Sequence, residues 1–186
     1  VASAVAAVLA LTLSSCGTPQ VGAAAVVGDR RITVAQVQSA YRDIVPLVGQ
    51  DQQITQGQIL NLLILGPYLT SAASAEGRGI STQDARLDIK SAGSVDADKV
   101  SNSALEVWKA NLANSALQTD RTTEQVQATY QAIGVRLKKD GVHVNPRYGA
   151  GIDYSNFSLI PEQPDWLVTP KPVASATPTP GATSSP

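Results

Sequence analysis

The sequence predicts a mainly α-helical domain that opens on a small β-hairpin, with about five helices to follow. Three observations carry this. Apolar residues recur at three- and four-residue spacing over most of residues 33–137, the stripe of an amphipathic helix. Ser or Thr followed three residues later by an acid or amide precedes these stretches at Thr33, Thr55, Ser81, Ser103 and Thr122, the pattern of a capping box. Residues 23–32 instead place two short runs around Gly28-Asp29, a turn pair that joins hairpin strands.

The elements follow in order. Ala23, Ala24, Ala25, Val26 and Val27 form the first strand and Arg30-Arg31-Ile32 the second. Thr33 and Gln36 open a helix whose Val34, Val37, Tyr41, Ile44 and Val48 share one face, and Pro46 ends or kinks it. Thr55 and Gln58 open a second helix that is apolar on nearly every side from Ile59 to Leu69; such a helix is buried. Pro67 lies inside it and kinks it, because the ring meets the Leu63 carbonyl. Gly77-Arg78-Gly79 ends it. Ser81 and Asp84 open a third helix reaching about Ala92. Ser103 and Glu106 open or strengthen a fourth, with Leu105, Trp108 and Leu112 on one face. Thr122 and Gln125 open a fifth, with Val126, Tyr130, Ile133 and Leu137 together and Lys138 and Lys139 beside its terminal Gly141. Val142-His143-Val144 is extended, Asn145-Pro146-Arg147-Tyr148-Gly149 is a turn, and residues 154–168 form an extended segment. Residues 169–186, rich in Pro, Ser, Thr and Ala, are expected to be disordered, having too little apolar surface to bury.

Cys16, the only cysteine, ends an apolar run. That run is too short for a membrane span of about 20 residues and suits the core of a signal peptide. Leu13-Ser14-Ser15-Cys16-Gly17 resembles the bacterial lipobox. On that reading residues 1–15 are a signal peptide, truncated at its start, and Cys16 is the lipid-attachment site. Residues 16–22 are then a tether, residues 23–153 the domain, and the protein sits on the extracytoplasmic face of the cell membrane. A diacylated Cys16 anchors strongly, at about 0.8 kcal/mol per buried CH2.

Composition excludes several functions. The net charge of −1 gives no argument for nucleic acid or an anionic surface as partner. A single Cys allows neither an intramolecular disulfide nor a Cys-rich metal site. No catalytic constellation stands out: the lone His143 has no thiol and no second His beside it. Asp84 with Asp88, and Asp96 with Asp98, lack the pattern of a calcium loop and read as solvated charge. Gly77-Arg78-Gly79 lacks the ending of a phosphate loop. Arg30-Arg31 reads as an exposed strand pair. Arg147 is expected to pair with a carboxylate and pin the extended segment. No metal, cofactor or catalytic residue is expected.

Ala24-Ala25-Val26-Val27-Gly28-Asp29-Arg30-Arg31-Ile32-Thr33 and Gln58-Ile59-Leu60-Asn61-Leu62-Leu63-Ile64, with Ala75, Gly79, Ile80 and Ser81 after them, resemble the N-terminal domain of the SurA/PrsA chaperone family. Trigger factor's substrate-binding domain is similar. Val144-Asn145-Pro146-Arg147-Tyr148-Gly149 looks like a segment that closes envelope lipoproteins of this type. The resemblance spans about residues 23–153. Many relatives insert a parvulin prolyl-isomerase domain whose pocket uses His, Met and Phe; this chain, with no Met, one Phe and one His, could not furnish it. What the resemblance implies is a chaperone-like module without isomerase activity that holds unfolded or newly secreted polypeptides in apolar grooves. The alternative is an assembly lipoprotein that docks one specific envelope partner. No residue is singled out for polypeptide contact. The apolar second helix is a candidate, although core is its simpler use.

Overall fold

A computed structural model describes residues 22–48, 53–93 and 95–162. Cys16, the apolar run before it and the 169–186 segment lie outside these residues. The described chain is mainly helical, as expected. β1 (Ala23–Val27) and β2 (Arg30–Thr33) form the hairpin, followed by α1 (Val34–Ile44), α2 (Gln56–Ala75), α3 (Thr82–Ala92), α4 (Asn102–Gln118) and α5 (Thr123–Asp140). Three short strands close the order: β3 (Val142–Val144), β4 (Gly151–Ile152) and β5 (Leu159–Ile160).

The expected extended piece at residues 142–144 becomes a third strand of the hairpin's sheet. The strand order is β2-β1-β3, with both neighbours antiparallel to β1. Val26 therefore stands between Arg31 and His143, and Val27 between Arg30 and Val142. Asn145 extends the closure: its amide donates to Ala24 O at 2.9 Å and its Nδ2 to Ala23 O at 2.9 Å. β4 and β5 pair as a separate hairpin, so residues 154–160 fold back on the domain rather than trail from it.

Four of the five expected capping boxes are present, at Thr33, Thr55, Ser81 and Thr122. The fourth helix differs. It starts two residues earlier, with Ser101 as its cap and the Ser101 Oγ accepting from the Ala104 amide. Asp43 on α1 fixes this start by accepting from the Ser101 amide at 2.9 Å. Ser103 is buried inside the helix and shares a hydrogen bond with Ser39 at 2.9 Å.

α2 is the buried centre. Ile59, Leu60, Leu63, Ile64 and Leu69 are all nearly inaccessible, and the helix packs most extensively on α4. Small residues set that approach: a Cβ on Gly66 would stand 3.2 Å from the Ala110 Cβ. Ala104, Ala110 and Ala113 are fully buried on α4, whereas Trp108 and Leu112 are only half-buried. A larger side chain at these positions would hold the helices apart, since interiors are close-packed. The apolar second helix is thus core. α3 packs on α4, and the sheet packs on α1 and α2.

Arg30 departs from expectation. It is half-buried, and its guanidinium donates to Leu63 O and Ile64 O, each at 3.0 Å. Pro67 has no amide hydrogen for Leu63 O, the carbonyl four residues before it. The strand arginine supplies the donor that the helix lacks. Arg31, its neighbour, is exposed, as alternation along a strand requires.

Candidate functional site

α5 buries little of itself: Ile133 and Leu137 are its only buried residues. Its outer side faces the turn between β4 and β5, and the two enclose an open groove of about 630 Å³. Val126, Tyr130, Gly134 and Val135 of α5 line one side and Tyr154 and Phe157 the other. Val135 is 70% exposed. Gln127, Gln131, Lys138 and Ser155 form the polar rim.

The turn is built by its own side chains. Asp153 accepts from the Ser155 amide at 2.8 Å and the Ser155 hydroxyl at 2.6 Å. Asn156 does the same for Ser158, at 2.9 and 2.6 Å. Two successive turns of this kind carry Phe157 into the left-handed region at φ 60°, which a bulky residue occupies only when its surroundings hold it there. Phe157 N donates back to Asp153 O at 2.8 Å. The Phe157 ring then lies over α5 where that helix has no side chain: a Cβ on Gly134 would meet the ring at 3.5 Å and Tyr154 O at 3.3 Å. Tyr130 completes the floor, with its ring 6.1 Å from Phe157 and tilted 45° to it.

The electrostatics keep this floor neutral and its rim polar. Tyr130 donates to Asn114 Oδ1 at 2.5 Å and accepts from Gln118 at 3.3 Å. Burial pushes its phenol above its ordinary value. The hydrogen bonds from Ser155 hold the Asp153 carboxyl below its ordinary value, so the turn is closed by a carboxylate.

A second, smaller cavity of about 230 Å³ lies beside Pro67, lined by Arg30, Leu62, Thr70, Glu106 and Lys109. Its one half-buried arginine is already committed to the Leu63 and Ile64 carbonyls. It lies beside the helix proline and is not a prepared ligand site.

The residues weighed for chemistry scatter. His143 is exposed on β3. Asp84 serves the Ser81 capping box, and Asp88 accepts from Trp108 Nε1 at 2.8 Å. Asp96 pairs with Lys99 at 3.1 Å, and Asp98 lies 3.9 Å from Arg86. Arg78 ties the end of α2 to that of α4 by donating to Ala116 O and Thr119 O. Arg147, expected to meet a carboxylate, instead lies 6.0 Å from the centre of the Tyr148 ring. Among the described residues no three His, Cys, Asp or Glu converge as a metal site. No helix among them is long and apolar enough to cross a membrane.

No protein-family model, no curated protein and no solved structure matches this chain. The groove's class is therefore defined by its chemistry alone. It is an open, neutral, apolar floor with amide and hydroxyl groups and the Lys138 ammonium at its edge. Val126 and Tyr130 were legible in the helical pattern of α5; Val135, Tyr154 and Phe157 were not.

Proposed function

We propose that this protein is a membrane-anchored, extracytoplasmic, chaperone-like lipoprotein that binds unfolded or newly secreted polypeptides and has no isomerase activity. The groove on α5 is the observation that carries the polypeptide-binding part. Its aromatic and aliphatic floor offers contact without shape selection. Gln127, Gln131 and Ser155 at its rim both donate and accept hydrogen bonds, so they can meet a peptide backbone whatever its side chains. The Leu13-Ser14-Ser15-Cys16 motif carries the anchoring part.

The test is suppression of aggregation. Two or three unrelated denatured proteins are diluted into buffer with the soluble chain, and light scattering is followed. Suppression near stoichiometric ratio, with no binding to the folded forms, is expected. Val135→Asp should abolish it while leaving thermal unfolding unchanged, because exposed substitutions move stability by about 0.5 kcal/mol or less. No suppression of any client would replace this reading with a protein that docks one folded envelope partner. Cys16→Ala should release the protein from membranes; continued membrane fractionation would defeat the lipid anchor.

A further inference from the structure

The net charge conceals a separation of charge that the fold creates. Residues 22–33 and 136–148, which make the three-stranded sheet and the end of α5 beside it, carry six Lys or Arg (Arg30, Arg31, Arg136, Lys138, Lys139 and Arg147) against two Asp (Asp29 and Asp140). The other described residues carry seven Lys or Arg against eleven Asp or Glu. The two halves of the domain have opposite sign, although the chain as a whole is almost neutral.

Geometry puts two of these cations, Arg31 and Arg147, where the chain leaves toward Cys16. β1 begins at Ala23. On one side of it, Arg31 Nη2 lies 3.6 Å from where a Cβ on Gly22 would stand. On the other, Asn145 bonds to Ala23 O and Ala24 O, and the Arg147 amide donates to Asn145 Oδ1 at 3.0 Å. Arg31 and Arg147 thus flank the start of the sheet. Lys138 and Lys139 stand at its far end, where Gly28 N bonds to Gly141 O at 3.1 Å. Arg31, Lys138, Lys139, His143 and Arg147 are all exposed. The acids of this half are drawn to one corner: Asp140 accepts from Tyr68 OH, and its Cβ faces Gly28, next to Asp29.

We propose that this sheet end is a docking surface for anionic lipid headgroups, a second membrane contact beside the acyl chain. The inference rests on the anchoring reading for its orientation. Residues 17–22, uncharged throughout, span at most about 20 Å when extended. A lipidated Cys16 therefore holds Arg31 and Arg147 close to the headgroups. A membrane anchor combined with a cluster of basic residues binds more firmly than either alone. The acidic half would be repelled, so the domain would sit with the start of its sheet toward the membrane.

The experiment separates this from the anchor and from client binding. The chain from residue 16, with Cys16→Ser and hence no acyl group, is mixed with sedimentable vesicles of phosphatidylcholine alone or with 30 mol% phosphatidylglycerol. Binding to the anionic vesicles only, weakening between 50 and 300 mM salt, is expected from screening within about 10 Å. Each cation removed should weaken partitioning about fivefold, so Arg31→Gln with Arg147→Gln should lose about 25-fold. Lys138→Gln with Lys139→Gln, at the far end of the sheet, should lose less than the Arg31 and Arg147 pair, an equal or larger loss there would overturn the placement, and circular dichroism checks that all variants are folded. Lys90→Gln with Lys99→Gln removes the same charge from the other half and should change binding little. Equal binding to both vesicle types, or an equal loss in the Lys90 and Lys99 pair, would overturn the proposal. So would equally tight binding to duplex DNA at the same salt, which would make the surface a general polyanion site. Membrane release of Cys16→Ala in cells reports on the anchor alone and leaves this result untouched.

Discussion

Replacing Arg30 by Met tests whether a strand residue completes the hydrogen bonding of the proline-interrupted helix. The substitution keeps an unbranched apolar stem and removes the two donors at 3.0 Å from Leu63 O and Ile64 O. The two carbonyls are not equivalent. Ile64 O has the Tyr68 amide in register four residues on, whereas the group in register with Leu63 O is the Pro67 nitrogen, which has no hydrogen. A hydrogen bond from a charged donor contributes about 1.5–3 kcal/mol, and a bared buried carbonyl costs about 1–3 kcal/mol. Arg30 is only half-buried, so water recovers part of this, and a loss of about 2–3 kcal/mol is expected. With a urea slope of about 2 kcal/mol per molar, the unfolding midpoint should fall by about 1–1.5 M. The specific claim is the coupling. Pro67→Ala gives Leu63 O a helical donor, so Arg30→Met should cost about 1–2 kcal/mol less in that background. If the two substitutions add within about 0.5 kcal/mol, as independent sites do, Arg30 is not serving the carbonyl that the proline exposes and the reasoning fails.

Three further outcomes are expected. Burial and the Asp140 carboxylate, which accepts from its hydroxyl at 2.5 Å, push the Tyr68 phenol up to about 12 from an ordinary value of 10.0. The raised value means that its contribution is intact below pH 10 and is lost as pH rises toward 12. That loss is at most about 2–3 kcal/mol, reduced by solvent screening at the exposed Asp140; urea midpoints of Tyr68→Phe should lack it, and parallel pH profiles of the two proteins would contradict it. Gly149 has φ 150°, and a Cβ there would run into Ile160 O. Gly149→Ala should therefore destabilise by about 1–3 kcal/mol and deprotect the Ala150 amide, which bonds to Ile160 O at 2.8 Å; normal hydrogen exchange at Ala150 would show that the β4–β5 hairpin tolerates the methyl group. Ser101→Ala should cost about 1 kcal/mol as a lost helix cap and Glu106→Ala much less by thermal unfolding, the reverse of what a Ser103–Glu106 box requires.

Local rules were sufficient where the chain's nearest neighbours decide the structure. Four capping boxes, the Gly28-Asp29 turn and the end of α5 at Gly141 follow from residues within four positions of one another. Ser101 carries no local box signal, since its amide is fixed by Asp43, 58 residues earlier, whereas Ser103 and Glu106 match the box pattern. Arg30 looked like half of an exposed pair because its partners, Leu63 O and Ile64 O, belong to another element and become available only through Pro67. The pairing of β3 with β1 spans more than a hundred residues, and no local pattern specifies it. The groove suffered in the same way. Val126 and Tyr130 lay on the predicted apolar face of α5, but Phe157 reaches Gly134 only after the Asp153 and Asn156 turns reverse the chain. The charge separation was illegible for a simpler reason: a net charge is a sum, and the sheet joins residues 22–33 to residues 136–148.

The division between core and surface explains why the groove falls on α5 and not on the more hydrophobic α2. The contact between α2 and α4 is set by Gly66 against Ala110, and the cavity beside it, of about 230 Å³, is much smaller than the groove on α5. Opening the contact would bare residues such as Leu60 and Ile64, which are completely buried, and each exposed side chain of that size costs about 1.5–3 kcal/mol. α5 has no such commitment, since only Ile133 and Leu137 are buried. The remaining apolar residues of its outer side, with Tyr154 and Phe157, line an open groove. Binding there requires no loss of core packing. Sheet closure by β3 makes that arrangement firm, because it fixes the end of α5 to β1 through Gly28 N and Gly141 O. A site with a rigid base and an open apolar side can exchange extended chains without unfolding the protein that holds them. Substitutions in it should therefore separate client binding from stability, whereas substitutions in α2 should not.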